Sequence, residues 1–256
     1  MGMRDYLFRM KQKTFFLNYG RKIVGEWGSA FLNQRAFEEP KVLDLGLGEG
    51  WDLENIRNGS VNADIRLYGI ETWEPNVLIA RSKGIEVFNV DIERQTLPFG
   101  DASLDLVVAN QIIEHTKEIF WIFSEIARVL KPGGACIVGI PNLASFHNRM
   151  LLLLGRQPTT IELLGPHIRG ITAPSFKRFV TAGGFFQIKD MTGENFYPFP
   201  VPIGSALAKL APLMSVALFF MLVRTSEQGS FLRLLDENFY ETPYYRGELS
   251  EQRHAL

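Results

Sequence analysis

Apolar runs and amphipathic stretches alternate along the first 140 residues of the chain. Five apolar runs are short enough to be buried strands, and they cover residues 42–45, 65–71, 85–91, 104–109 and 135–140. Between the last two, residues 117–130 repeat apolar side chains with the period of a helix. Shorter helices are predicted at 51–58 and 75–84. The pattern predicts an α/β fold with a doubly wound, mostly parallel sheet.

The pattern becomes irregular after residue 141. Residues 142–172 form a long insertion, and 193–212 form a second one rich in Pro and Gly. A helix at 174–182 and strands at 185–191 and 216–224 complete the domain. We therefore expect an N-terminal helical cap at 1–40, the main domain at 41–224 and a polar C-terminal tail at 225–256.

Composition limits the class of protein. The chain has 256 residues, of which 46% are hydrophobic, enough for one large domain. The formal net charge of −1 gives no sign of nucleic-acid binding. The single cysteine, Cys136, excludes an internal disulfide and lies in an apolar strand, where it is interpreted as a core residue. With no signal peptide evident, these features predict a cytoplasmic protein.

Two segments raise the question of membrane contact. The apolar run 210–223 spans 14 residues and contains Pro212. It is shorter than the roughly 20 residues that a transmembrane helix needs, so its second half is predicted to be a buried strand. Residues 1–22 carry six Lys and Arg against one Asp, interleaved with aromatic side chains. This segment is either a helical cap with a solvated basic face or a contact for an anionic membrane or substrate.

A glycine-rich turn follows the first strand and marks a nucleotide site. Its glycines are Gly46, Gly48 and Gly50. The dinucleotide fingerprint G-x-G-x-x-G would place the third glycine at position 51, which is Trp51. The turn alone leaves open which nucleotide binds.

The residues at the strand ends narrow that choice, because ligands of such sheets lie across the carboxyl ends of the strands. The first three strands carry the carboxylates Asp44, Glu71 and Asp91 at or near their ends, and the fourth strand is followed by Asn110. These acids would repel a pyrophosphate, and the glycine turn has no Lys or Arg to offset them. A nucleoside that carries an amino acid and a positive charge fits better. S-adenosylmethionine has these groups.

Five segments along the chain come in the order and spacing of a known family: "VLDLGLGEG", "GIE", "VDIE", "LPFGDASLDLVVANQIIEH" and "EIARVLKPGGACIVGIPN". They resemble class I S-adenosylmethionine-dependent methyltransferases of the small-molecule group that includes the ubiquinone-biosynthesis enzymes. The resemblance is close over residues 41–142 and looser to residue 224. It implies a seven-stranded Rossmann-like sheet whose last strand runs antiparallel between strands five and six. It also implies S-adenosylmethionine as cofactor, bound by Asp44, Gly46, Gly48, Gly50, Glu71, Trp73, Asp91, Ile92 and Asn110.

The resemblance also bears on the chemistry. His115 is the candidate proton acceptor for a hydroxyl substrate, although it could instead cap or pack against the next helix. Some relatives hold magnesium with E-x-x-E-H, but the first ligand here is Gln111, so we expect no metal and activity that survives chelation. The N-P-P-Y motif of base methyltransferases is absent, which argues against nucleic acid.

The first insertion is expected to form a lid over the acceptor. It combines an apolar run, 150–154, with cationic side chains, so it suits an amphiphilic acceptor; packing of a helix against the core would also explain it. The predicted acceptor contacts are Asn142, His167 and Arg169. The expected function is methylation, on oxygen, of a small-molecule, lipid or glycan acceptor. The alternatives are a non-catalytic partner subunit that binds the cofactor and a nicotinamide dehydrogenase.

Overall fold

The computed structural model describes residues 20–35, 37–61, 64–237, 240–241 and 243–247. Their core is a seven-stranded sheet with the strand order β3-β2-β1-β4-β5-β7-β6. The strands are β1 Lys41–Leu45, β2 Arg66–Ile70, β3 Glu86–Phe88, β4 Leu104–Asn110, β5 Leu130–Pro141, β6 Phe186–Glu194 and β7 Ala217–Arg224. Of the basic segment 1–22, predicted to be either a cap or a contact for an anionic membrane or substrate, residues 1–19 lie outside the described residues.

The strand directions confirm the predicted fold class. The four pairs from β3 to β5 are parallel, whereas β7 pairs antiparallel with both β5 and β6. Parallel pairing brings the ends of neighbouring strands to one sheet edge, since Asp44 of β1 lies opposite Gly69 of β2 and Val108 of β4. The predicted site residues that follow these strands therefore share one edge.

Helices cover both faces of the sheet, as a doubly wound fold requires. They are α1 Arg21–Asn33, α2 Trp51–Gly59, α3 Glu74–Ser82, α4 Ile119–Val129, α5 Phe146–Leu153, α6 Ala173–Thr181 and α7 Val201–Leu210. Residues of α1, α2 and α3 join one buried apolar cluster, and residues of α4 and α6 join another. The one helix described in the predicted cap, α1, thus contributes to the core.

The junction between α4 and β5 differs from the prediction. The sequence predicted a helix as far as residue 130 and a new strand from 135, with "KPGG" as the break. The strand instead begins at Leu130, which lies opposite Leu104, and the register shifts before Ala135 pairs with Leu106. The segment is therefore an irregularity within the ladder, and Gly133 accommodates it with a φ of 79°.

Both insertions contain helices and pack on each other. The first holds α5, and the second holds α7, after β6 has continued to Glu194. Phe146 stacks on Phe196 with ring centroids 5.8 Å apart. The two insertions are therefore in contact with each other, and α7 packs beside β6.

The segment after residue 225 contributes to the core as well as to the surface. Phe231, Leu234 and Leu235 are buried against α4, and the Tyr245 ring packs on Trp121 at 5.0 Å. The predicted polar tail thus also carries aromatic and aliphatic core residues. Within the described part of the chain, no helix combines the length and apolar character needed to cross a bilayer.

Candidate active site

The glycine turn after β1 has an unusual backbone. Gly46, Gly48 and Gly50 have φ angles of 75°, 54° and 83°, which side chains rarely allow. The N–H groups of Gly46 and Leu47 donate to the Ile70 carbonyl of β2 at 3.1 and 3.0 Å, which holds the turn against the sheet edge. A side chain at Gly48 would meet no protein atom within 4 Å. The turn therefore exposes bare backbone to open space, as close approach of a ligand requires.

Glu71 is fixed at the edge of this turn. One carboxylate oxygen accepts from the Gly48 N–H at 2.9 Å, and the other accepts from the N–H groups of Thr72 and Trp73 at 2.9 and 2.8 Å. Asn76 of α3 adds a side-chain amide donor at 3.3 Å. The carboxylate predicted to bind a ribose is thus oriented by the glycine turn and by the start of α3.

The position of the Trp51 ring shows how the fold accommodates a bulky residue where the dinucleotide fingerprint has glycine. The ring lies on the outer side of α2 and is 44% exposed. Its indole N–H donates to Glu49 at 2.9 Å, and the Lys83 ammonium lies 3.7 Å from the ring centroid. Because the ring is partly exposed and its described contacts are with Glu49 and Lys83, close packing of α2 does not depend on a glycine at position 51.

Two buried carboxylates lie beneath the turn. Burial, and next the charge of Asp52, raise the pKa of Asp44 well above its usual value. Burial also raises the pKa of Asp52, which accepts from the Asn110 amide at 2.8 Å. Sequence reasoning identified Asp44 and Asn110 but missed Asp52, whose signal was an acid in the first turn of the helix after the glycines. Buried acids here favour a cationic ligand.

The remaining predicted cofactor residues lie farther along the same edge. Asp91 is exposed, and its carboxylate accepts from the Glu93 N–H at 2.9 Å. Trp73 precedes α3 with a ring that is 63% exposed. Ile92 is half-buried against the core. Asp91 and Trp73 are therefore placed to meet a ligand from solvent.

The turn after β4 contains a strained residue and an unpartnered acid. Gln111 has a φ of 55°, in the left-handed region that residues other than glycine seldom occupy. Glu114, in the short 3₁₀ helix Ile113–His115, is fully buried, and neither of its carboxylate oxygens has a hydrogen-bond partner among the described residues. Burial raises the pKa of Glu114 to about 7. Unsatisfied buried acids and backbone strain are features of functional sites.

His115 and His167 meet beside this acid. Their ring centroids are 4.8 Å apart, and His115 Nε2 lies 3.9 Å from Glu114 Oε1. Burial lowers the pKa of His115, which favours the neutral imidazole. The backbone N–H groups of Ile168 and Arg169 both donate to the Glu114 carbonyl, at 3.0 and 3.2 Å. The first insertion is thereby attached to the turn after β4.

The other two predicted acceptor residues have contacts within the protein. The Arg169 guanidinium donates to the Lys117 carbonyl at 2.9 Å, and the residue lines an apolar cavity of about 160 Å³ with Phe176 and Phe179. Asn142 is fully buried, and its amide donates to the carbonyls of Leu213 and Ser215 at 3.1 and 2.9 Å. The described contacts of Asn142 thus link the start of the first insertion to the segment just before β7.

The surface formed by the two insertions is strongly apolar. Large apolar side chains are exposed on both: Leu152, Leu153, Leu154, Leu163, Leu164, Tyr197, Ile203 and Leu210. The exposed Arg149 and Arg156 lie in the same segment as the leucines. Runs of exposed leucines, such as those at 152–154 and 163–164, are typical of surfaces that bind a partner, a membrane or a ligand.

Known proteins match this chain in both sequence and fold. Residues 43–138 match the family model described as a methyltransferase domain. A probable S-adenosylmethionine-dependent methyltransferase of Mycolicibacterium smegmatis is 32% identical over 155 residues, which are 59% of this chain and 54% of the relative. The malonyl-[acyl-carrier protein] O-methyltransferase of Hahella chejuensis is 27% identical over 96 residues, or 38% and 34% of the two chains. The chain spans about half or less of these two curated relatives.

A solved structure supports the fold over a longer range. The crystal structure of a SAM-dependent methyltransferase from Archaeoglobus fulgidus superposes with a TM-score of 0.59 and 15% identity. The match covers 86% of this chain and all of that one. At this identity the likeness shows the fold.

Proposed function

We propose that this chain, whose residues 43–138 are a methyltransferase domain of the class I S-adenosylmethionine-dependent family, binds S-adenosylmethionine and methylates an acceptor hydroxyl. The observation that carries the proposal is the oriented carboxylate of Glu71 beside the bare backbone of Gly48. Together they form a nucleoside site, and the glycine turn, residues 46–50, carries no Lys or Arg to bind a phosphate.

The residues of the groove fit this cofactor. Glu71 would accept from the ribose hydroxyls, Asp91 from the exocyclic amine of adenine, and the exposed Trp73 ring would cover the base. A ligand with an ammonium and a sulfonium group would favour the ionised forms of the buried Asp44 and Asp52, which burial alone disfavours, so these acids would bind such a ligand. When bound, the cofactor supplies a methyl group on a reactive sulfonium.

The chain's own residues can also prepare an acceptor hydroxyl, which must lose a proton to become a good nucleophile. His115 follows β4 at the same edge as Asn110 and is favoured in its neutral form. Its Nδ1 faces the Pro166 carbonyl, so the lone pair of the neutral ring is on Nε2. His115 is therefore our candidate for the proton acceptor.

The apolar surface of the insertions favours an amphiphilic acceptor. Its exposed leucines can receive a hydrocarbon chain, while Arg149 and Arg156 are suited to a polar or anionic head group. This supports the expectation of a lipid or lipid-linked substrate over a small polar one.

Calorimetric titration with S-adenosylhomocysteine and with NAD⁺ tests the cofactor. We expect saturable binding of S-adenosylhomocysteine and none of NAD⁺. Binding of NAD⁺ alone would support the hypothesis of a nicotinamide dehydrogenase. Transfer of a labelled methyl group from S-adenosylmethionine to acceptor extracts then tests the reaction. Label should enter the organic phase of a membrane extract in a base-stable ether. Cofactor binding without transfer to any extract would favour the non-catalytic subunit instead.

A further inference from the structure

The geometry points to a transition-metal site made of Glu114, His115 and His167. One possible ligand atom from each of these residues lies within 4.8 Å of the other two. Two imidazoles and a carboxylate are a donor set that suits Zn²⁺ and similar divalent ions, and such sites keep open positions for another ligand. The expectation of no metal depended on Gln111, whereas here the third donor is a histidine of the insertion.

Both histidines are held in the tautomer that a metal needs. His115 Nδ1 lies 3.2 Å from the Pro166 carbonyl, and His167 Nδ1 lies 2.9 Å from the Thr160 carbonyl. A carbonyl can only accept, so each Nδ1 carries the hydrogen and each Nε2 of the neutral ring keeps its lone pair. Histidines that bind metals are usually oriented by such a hydrogen bond from the second ring nitrogen.

The acid of the cluster gives an independent reason to expect a cation. Glu114 has no exposed surface, and both its oxygens lack a hydrogen-bond partner in the described structure. An ionised carboxylate is costly to bury without a compensating charge. The nearest imidazole nitrogen is His115 Nε2, 3.9 Å from Glu114 Oε1. In the neutral imidazole this nitrogen carries a lone pair and no hydrogen, so it cannot donate a hydrogen bond to the acid. A cation between them would satisfy both atoms.

Binding of an ion would draw the ligand atoms closer together by up to about 1.5 Å. Ligand atoms of a tetrahedral zinc ion lie roughly 3.3 Å from one another, because each is about 2.0–2.1 Å from the metal. The Glu114–His115 separation is close to this value, and the cluster spans 4.8 Å at most. The insertion already reaches the turn through the hydrogen bonds to the Glu114 carbonyl, so side-chain rotation could close the remaining gap.

Zn²⁺ titration of the full chain, produced without a histidine tag and freed of metal with a chelator, tests the site. By calorimetry we expect one ion per chain. Glu114→Gln and His167→Gln should each weaken Zn²⁺ binding by more than about a hundredfold, the upper end of losses for residues that merely support ligands. His147→Gln is the matched control, since His147 is half-buried outside the cluster, and it should keep wild-type affinity.

Three further measurements make the result decisive. A His254→Gln variant excludes the histidine near the C-terminus, and thermal melts in chelator show whether each variant folds. If Glu114→Gln does not fold, the Zn²⁺ affinity of His167→Gln is compared with that of the wild type. Co²⁺ should give intense visible absorption typical of low coordination in the wild type and lose it in His167→Gln.

Absence of Zn²⁺ binding, equal binding in the wild type and both ligand variants, or a preference for Mg²⁺ would overturn the proposal. None of these measurements uses methyl transfer, so the metal site and the proposed reaction can fail separately. The Nε2 lone pair of His115 cannot hold an ion and accept a proton together. A filled site would therefore change the role proposed above for His115.

Discussion

The carboxylate of Glu71 accepts a hydrogen bond from the backbone N–H of Gly48 at 2.9 Å, so the end of β2 fixes the turn that follows β1. This contact connects the two halves of the proposed cofactor groove. It also fixes the orientation of Glu71 before any ligand arrives, which lowers the entropic cost of binding.

The first prediction follows from that contact. Glu71→Ala should weaken S-adenosylhomocysteine binding by about 1.5–3 kcal/mol, roughly tenfold to 150-fold in Kd, because the charged acceptor for the ribose is lost. Calorimetric titration measures this. Glu74→Ala is the control, since Glu74 is exposed in the first turn of α3 and should leave Kd unchanged. Equal affinity of both variants would remove Glu71 from the site.

A second prediction separates backbone strain from obstruction of the groove. Gly48→Ala and Gly84→Ala place a methyl group at φ angles of 54° and 76°, and in neither case does it meet a protein atom within 4 Å. Each should cost about 1–2 kcal/mol of stability through left-handed strain. Only Gly48→Ala should reduce cofactor affinity, because Gly84 lies beyond the far end of α3. Parallel loss of affinity in both variants would indicate general damage to the fold.

The sequence predicted the features that depend on local patterns. The alternation of apolar and amphipathic segments predicts where β1 to β5 lie along the chain, and the glycines with Glu71 mark one sheet edge. The order and direction of β6 and β7 came from the family resemblance. The start of β5 was missed, because Pro and Gly in "KPGG" ordinarily end a helix or strand. Here Leu130 and Ala135, on either side of the segment, both pair with β4, and the segment bulges out between them.

Contacts between distant segments could not be predicted. Asp52 approaches Asn110 across 58 positions, and His167 reaches His115 from another segment altogether. The burial of Phe231 and Tyr245 likewise depends on a docking surface on α4 that no local pattern reveals. Residue types identified the sheet edge, but only the folded chain shows which side chains meet there.

A third prediction concerns pH and the buried acids. Burial, and next the charge of Asp52, raise the pKa of Asp44 in the folded state, so this state binds its proton more tightly than the unfolded chain does. The stabilisation from this group is thus complete below the unfolded pKa, near 3.8, and is lost as pH rises to the folded value.

Asp44→Asn should therefore be more stable than the wild type at neutral pH without cofactor, and its stability should vary less with pH above 3.8. Urea unfolding across a pH series measures both effects. Asp190→Asn, at an exposed position of β6, is the control and should follow the wild type. A wild-type curve whose stability rises with pH through this window, with Asp44→Asn following it, would contradict the assignment.

The last prediction tests the acceptor surface. Leu163 and Leu164 are almost completely exposed, so replacing both with Ser removes apolar contact area without opening a cavity in the core. The melting temperature and the affinity for S-adenosylhomocysteine should stay unchanged, because neither side chain supports the core or the glycine turn. Methyl transfer to organic-extractable acceptors should fall through a higher KM, since the lost interaction is with the hydrocarbon part of the acceptor. Val61→Ser is the matched control, because Val61 is also exposed but lies just before β2, where the strands begin. If the double variant methylates the extract with the KM of the wild type, the apolar surface of the insertions does not bind the acceptor.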